Sequence, residues 1–220
     1  MIAALFPQEV VTCDANPALI SGRLYPEEEV YIQRAVPKRK GEFTAGRLCA
    51  RKALARFGIT NFPILVNNDR SPIWPTGFVG SITHTDGYCG VAVARQSVLL
   101  SLGVDVESVN QVSKEYWGHL FTPPELSYLH SLPSCKQQGI AALIFSAKEC
   151  LYKCQYLISK QWLNFLDVHV LVDHSRNEFH AIVLVDVGGK FHKGNSMTGK
   201  YAFGNGYVFT GMAIPWNLTT

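Results

Sequence analysis

One stretch constrains the fold more than any other. From Gly139 to Ser159, Ile140, Leu143, Ile144, Ala147, Leu151, Cys154 and Ile158 recur at helical spacing. A helix of that length with one apolar face needs a sheet or another helix to cover it. Strand-like apolar runs surround it. Residues 166–172, 179–187 and 207–214 follow it, and 62–66 and Phe78 to His84 precede it. Residues 91–94 and 98–107 read as a hairpin about Arg95-Gln96-Ser97. A further helix runs from near Gly41 to Phe57, with Phe43, Leu48, Ala50, Leu54 and Phe57 as its stripe and Gly58 as C-cap. Pro123-Pro124-Glu125 opens a short helix over 125–132, residues 188–206 read as a Gly-rich loop, and the first 30 or so residues read as irregular. The order of helix, strands, helices, strands predicts an α+β fold whose halves divide as 1–107 and 108–220.

The charge is unevenly placed. Residues 34–56 hold eight cations (Arg34, Lys38, Arg39, Lys40, Arg47, Arg51, Lys52, Arg56) against Glu42 alone. That segment is +7, which leaves −4 for the rest of a chain whose total is +3. A concentrated basic segment on a mildly acidic chain points to an anionic partner. No apolar run approaches the roughly 18–20 residues of a membrane-spanning helix. Met1 to Pro7 lacks the basic start of a secretory signal. The six cysteines show no CxxC pair, so reduced thiols and a cytoplasmic location are expected, with Asn217-Leu218-Thr219 an unused sequon.

Four segments have the residue types that chemistry needs. In Asp105-Val106-Glu107, at the end of the apolar run from Leu99, strand alternation places both carboxylates on one face. The pair is either a solvated strand end or a site for a hard divalent cation such as Mg²⁺. In Ser146-Ala147-Lys148-Glu149-Cys150-Leu151-Tyr152-Lys153, Glu149 and Lys153 are four apart on a helix. By themselves they read as an exposed ion pair. If Glu149 joins the Asp105/Glu107 cluster and Lys153 faces a phosphate, they form a phosphoryl-transfer arrangement. Gly80-Ser81-Ile82-Thr83-His84 offers a hydroxyl and an imidazole to phosphate oxygens and is not a hydrolase nucleophile elbow. In the basic helix, Gly46 costs about 1 kcal/mol against Ala, which hints at close packing. Arg70 is a further isolated cation.

In this order, the four segments resemble the 4′-phosphopantetheinyl transferases. The likeness is to the large, monomeric type that activates siderophore and other nonribosomal peptide synthetases, and within it to the enterobactin branch. It rests on Gly80–His84, Leu102–Glu107 and Phe145–Lys153, with Ala45-Gly46-Arg47 and Arg70–Pro75 added, and spans about residues 38–153. The resemblance implies two similar α/β subdomains in a pseudo-twofold arrangement, with the active site in the cleft between them. It implies transfer of the phosphopantetheine arm of coenzyme A to a serine of an apo acyl or peptidyl carrier protein, releasing adenosine 3′,5′-bisphosphate. Asp105, Glu107 and Glu149 would hold Mg²⁺, Glu149 would act as base, and Lys153 would sit on the pyrophosphate. Thr83 and His84 would hold phosphates, and Arg39, Arg47 and Arg70 would surround the 3′-phosphate and adenine. Arg51 and Arg56 would steer an acidic carrier protein.

Two other classes fit less well. A metal-dependent nuclease usually places lysine two residues after the second acid, where this chain has Val109. A nucleic-acid-binding module usually interleaves exposed aromatics with its cations, whereas Phe43 and Phe57 fall on the apolar side of the basic helix. No nucleic-acid partner is therefore expected.

Overall fold

The computed structural model describes residues 1–188 and 191–216. The sequon at Asn217 lies outside them. Among the described residues, eight strands form two antiparallel sheets. β1 (Val11–Ala15), β2 (Phe78–Thr85) and β3 (Tyr88–Arg95) form a three-stranded sheet in the order β1-β3-β2. β4 (Leu99–Ser108), β5 (Val168–Asp173), β6 (Glu178–Val183), β7 (Ser196–Gly204) and β8 (Tyr207–Pro215) form a five-stranded sheet in the order β4-β8-β7-β6-β5. Among the helices, α1 (Pro26–Glu29), α3 (Trp117–Leu120) and α4 (Pro123–Ser131) are short, and α2 (Pro37–Ala55) and α5 (Ser134–Ser159) are long. The mixed helix and sheet content agrees with the α+β expectation.

α5 lays Ile140, Leu143, Ile144, Ala147, Leu151 and Cys154 into one cluster with Val168, Phe179, Val208 and Met212 of the five-stranded sheet. It starts earlier than expected because Pro133 presets its entry while Ser134–Gln138 offer no apolar stripe to reveal it. α2 covers the three-stranded sheet through Cys49, Ala50, Ala53 and Leu54. Gly46 lies so close to this sheet that a Cβ there would meet Ile82 Cγ2 at 3.0 Å. At the end of α2, Gly58 has φ +81° and Ile59 N donates to Leu54 O at 3.2 Å, closing the helix as a glycine C-cap does. A third cluster joins Ile2, Leu5 and Phe6 to Val79, Ala92, Leu102, Val104, Val106 and Phe209.

Strand β4 is buried on both faces, which explains its unbroken apolar run. Leu102, Val104 and Val106 enter the third cluster, while Ser101, Gly103 and Asp105 meet α5. A Cβ at Gly103 would overlap Cys150 O, so this glycine sets how closely α5 approaches the strand. Cys150 Sγ lies 3.2 Å from Gly103 O, and Ser101 Oγ donates to Cys154 O at 2.6 Å.

Four local expectations are corrected. Residues 91–94 and 98–107 are not a hairpin: β3 pairs with β1 and β2, β4 pairs with β8, and the chain changes sheets between Arg95 and Leu99. β4, which a division after Glu107 groups with the first half, thus shares its sheet with the second. The free edge of β4 is met instead by hydroxyls of β2: Val104 N donates to Ser81 Oγ and Val106 N to Thr83 Oγ1, both at 3.2 Å. Residues 62–66 form no strand, because Pro63 lacks a ladder donor; only a Val66–Pro72 bridge remains. The stretch 188–206 contains β7, whose alternation was hidden by Gly199, where the missing Cβ makes room for the Phe179 ring. The first 30 residues hold β1 and α1.

Candidate functional site

Asp105 and Glu107 leave β4 on the face turned toward α5, as alternation predicts, and Asp105 is held by three side chains. Lys153 Nζ donates to its Oδ1 at 2.6 Å and Thr83 Oγ1 donates to the same oxygen at 3.1 Å. Ser146 Oγ donates to Oδ2 at 2.7 Å, and Thr210 Oγ1 lies 2.8 Å from that serine. Burial to 3% exposure without these donors would be costly; with them the carboxylate is fixed in one orientation.

Lys153 does not form the expected exposed pair with Glu149. It reaches across to Asp105 and to Val104 O at 3.2 Å, its side chain 25% exposed. Burial acts to lower its pKa, but Asp105 and Glu149 outweigh that and raise it, so it remains a cation. Glu107 and Glu149 have no ion-pair or hydrogen-bond partner among the described residues. Burial, with Asp105 and Glu149 adding to it, pushes Glu107 up to about 8. Glu149 is raised too, by burial and by Asp105. Burial and mutual repulsion thus push two of three neighbouring acids toward their protonated forms beside one lysine, and a hard cation there would favour their ionised forms. No group of three or more His, Cys, Asp or Glu side chains among the described residues forms a ready-made metal cage. An open arrangement of this kind suits Mg²⁺, which binds through one or two carboxylates and takes its other oxygens from water and phosphates.

His84 lies beside this cluster at the end of β2. Arg39 can only donate, so His84 Nε2 accepts its NH1 at 2.8 Å and the ring proton sits on Nδ1, facing Glu42 Oε2 at 3.6 Å. Burial lowers the pKa of His84, with Arg39 and Lys153 adding to the effect against Glu42, which keeps the ring neutral. Thr83 is buried with its proton on Asp105, so it orients that carboxylate. Arg70 projects from a turn at φ +66°, fixed by Asp69 and Ser71, and joins Ser81, Tyr152, Lys153 and Tyr156 around a cavity of about 230 Å³. On the far side of Tyr152, Glu149 opens onto a cavity of about 700 Å³ lined by His119, Trp162, Phe165 and Leu166.

The basic helix separates into two groups. Arg47 is 7% exposed, donates from Nε to Ile64 O at 3.2 Å, and its guanidinium lies 3.7 Å over the Phe43 ring; burial lowers its pKa to about 10. Arg51 lies over Tyr25 and beside the fully buried Glu28 at 3.7 Å, leaving the exposed Arg56 rather than Arg51 free to steer a partner. Arg39 instead stays beside His84, and Arg70, outside this helix, lines the cavity beside Lys153. Sequence reasoning missed Ser146, Glu42 and Gly103. A serine on the buried face of a long helix, the only acid in a basic segment and a glycine inside a strand were the available signals.

Residues 27–94 match the 4′-phosphopantetheinyl transferase N-terminal domain, and residues 101–202 match the 4′-phosphopantetheinyl transferase superfamily. The chain belongs to that superfamily. The 4′-phosphopantetheinyl transferase Svp of Streptomyces mobaraensis is 38% identical over 97% of this chain and 89% of its own length. The 4′-phosphopantetheinyl transferase Npt of Nocardia iowensis is 31% identical over 97% of this chain and 99% of its own. Enterobactin synthase component D of Shigella flexneri is 31% identical but matches 69% of this chain and 74% of its own. Phosphopantetheinyl transfer, an enzymatic role, follows from the family. The similarity to Svp and Npt extends over more of the chain than the enterobactin likeness expected from the motifs.

Proposed function

We propose that the protein transfers the 4′-phosphopantetheine arm of coenzyme A to a serine hydroxyl of an apo acyl or peptidyl carrier protein serving siderophore, nonribosomal peptide or polyketide synthesis. The observation that supports this best is the meeting of Asp105, Glu107, Glu149 and Lys153 at the junction of β4 and α5, with Arg39, His84 and Arg70 around it. Its two long helices, each covering an antiparallel sheet, support a pseudo-twofold pair of halves with the site between them. We read the enzyme as a cytoplasmic monomer; no described helix is long and apolar enough to cross a membrane. Within the large type, its branch is that of Svp and Npt, the relatives matched along nearly the whole chain, with the enterobactin enzymes as the alternative.

In this reading Asp105, Glu107 and Glu149 would hold Mg²⁺, which would supply charge neutralisation for the pyrophosphate. Arg39, Arg47 and Arg70 grip the 3′-phosphate and adenine end, and the neutral His84 ring donates its N–H to a phosphate oxygen. Glu149, its carboxyl raised by burial, takes the proton of the carrier serine as the oxygen forms its bond to the β-phosphorus. The P–O bond to adenosine 3′,5′-bisphosphate breaks, and Lys153 neutralises or protonates the departing phosphate.

The test is to mix the protein with coenzyme A, Mg²⁺ and a panel of apo carrier proteins and measure intact masses. A gain of one phosphopantetheine on a carrier is expected. No gain on any carrier would overturn the reading, and cleavage of DNA under the same conditions would replace it with a nuclease.

A further inference from the structure

α5 carries a second lysine that the proposed chemistry does not use. Lys148 directly precedes Glu149 yet points to the other side of the helix, its side chain 1% exposed. Its ammonium has three protons and three acceptors: Glu125 Oε2 at 2.7 Å, Leu120 O at 2.8 Å and Phe165 O at 2.8 Å. Glu125, equally buried, is satisfied in turn. Its Oε2 accepts from Thr122 N and its Oε1 from Val170 N, each at 2.7 Å. Two side chains thus tie together five segments: the middle of α5, the end of α3, the start of α4, the turn at Phe165 and strand β5.

Two of those segments are walls of the cavity beside Glu149. Leu120 O anchors the segment that presents His119, and Phe165 O anchors the loop that presents Trp162 to Val168. Phe165 also stacks on Phe145 of α5, with ring centroids 5.2 Å apart. Only Val168 of these walls lies in a sheet, and Gln155 holds the loop farther along at Gln161 O. Among the described residues, Lys148 supplies the hydrogen bonds that tie Leu120 and Phe165 to the turn of α5 carrying Glu149. A buried ion pair is seldom the most stabilising way to fill such a space, since apolar residues of similar volume do as well or better. Three donors aimed at two loop carbonyls and a carboxylate instead fix direction.

We infer that Lys148 and Glu125 are positioning residues of the transferase site: their buried ion pair sets both loop walls of the cavity relative to Glu149. The inference rests on the proposed transfer for its kinetic consequence, and on geometry alone for its structural one.

The double variant Glu125→Gln/Lys148→Met removes both charges at nearly constant volume and leaves neither unpaired. Hydrogen exchange followed by mass spectrometry should show residues 117–122 and 162–168 exchanging at least about tenfold faster, with 38–55 and 99–108 unchanged. With wild-type far-UV circular dichroism, kcat/KM for carrier modification should fall at least about tenfold. Affinity for adenosine 3′,5′-bisphosphate, which lacks the arm, should stay within about twofold. Unchanged wall exchange, acceleration spread evenly over the chain, or kcat/KM within about twofold of wild type would overturn the inference. If the double variant does not refold, Glu125→Gln, which keeps an acceptor for Lys148, is read by the same exchange pattern and ratios. A wild-type protein that modifies no carrier would sink the transfer reading, while the exchange pattern would still judge the hub.

Discussion

Lys148 and Lys153 lie five residues apart on one helix, and each is paired with a buried carboxylate, but their surroundings differ. Around Lys148 the arrangement is closed: three donors meet three acceptors, and Glu125 has its own backbone donors. Around Lys153 it is open. Its side chain remains 25% exposed, Asp105 is oriented by Thr83 and Ser146, and two further carboxylates stand near without partners among the described residues. A closed pair can only hold structure in place. An open pair beside further unpartnered acids has capacity left for a cation and for a phosphate, and in the proposed function this difference separates scaffold from reaction site on a single helix.

The sharpest way to break the contrast is to remove one partner from each region. Asp105→Ala should lower Mg²⁺-dependent transfer by about 10²–10³-fold or more, because several kcal/mol of charge stabilisation are lost, while far-UV circular dichroism stays native. Lys153, left without Asp105, can still reach water. Wild-type activity in saturating coenzyme A and Mg²⁺ would show that Asp105 has no such role. Lys148→Met alone should do the reverse first. It strands Glu125 in the interior and should lower unfolding stability by about 3–5 kcal/mol, read from chemical denaturation midpoints. A native midpoint would mean that the closed pair is not the constraint described here.

A third variant moves the two regions together. Gly103→Ala places a methyl against Cys150 O and pushes α5 off β4. The expected loss is about 1–3 kcal/mol of stability, with activity falling further than stability because Lys153 is carried away from Asp105. A variant as stable as wild type, with unchanged kcat, would show that the helix accommodates the methyl elsewhere.

How far the sequence anticipated this contrast follows from where its patterns are regular. The apolar stripe of α5 and the alternation at Asp105 and Glu107 are periodic, so the helix and the shared face of the two acids were readable. The partner of Lys153 was not, because helical spacing proposes Glu149, four residues away, and only the sheet brings Asp105 within reach. β7 was lost because Gly199 exists to admit a ring from β6, a fact no local pattern holds. The false hairpin arose because Arg95-Gln96-Ser97 has turn composition, while strand pairing depends on β8, more than 100 residues onward. From the sequence, Arg47 is expected at the 3′-phosphate and Arg51 facing a carrier protein; their buried partners, Ile64 O and Glu28, come from distant segments no charge run reveals.

Arg47 offers the next test, since it belongs partly to each kind of region. Arg47→Ala should raise KM for coenzyme A about 10- to 100-fold, the loss of a charged hydrogen bond, with kcat nearly unchanged. It should also cost about 1–3 kcal/mol of stability, because Ile64 O loses its donor and the Phe43 ring its cover. A pure loss of kcat would move Arg47 into the chemistry, and unchanged stability would place its side chain outward.

The smallest effect is expected at the turn that carries Arg70. Asp69 accepts Ser71 Oγ and Ser71 N, and these bonds, with Lys160 at 3.3 Å, lower its pKa from 3.8 to about 2. A carboxyl with a lowered folded-state pKa adds stability that is complete above about pH 4 and is lost as pH falls through 2. The pair with Lys160 is exposed, so global stability should hardly respond. What should respond is the Arg70 turn: Asp69→Asn should raise KM for coenzyme A by a few-fold without changing the denaturation midpoint. A carboxyl resonance titrating near 3.8 in the wild type would show that the turn is not held through Asp69. Arg70 would then be a mobile cation rather than a placed one.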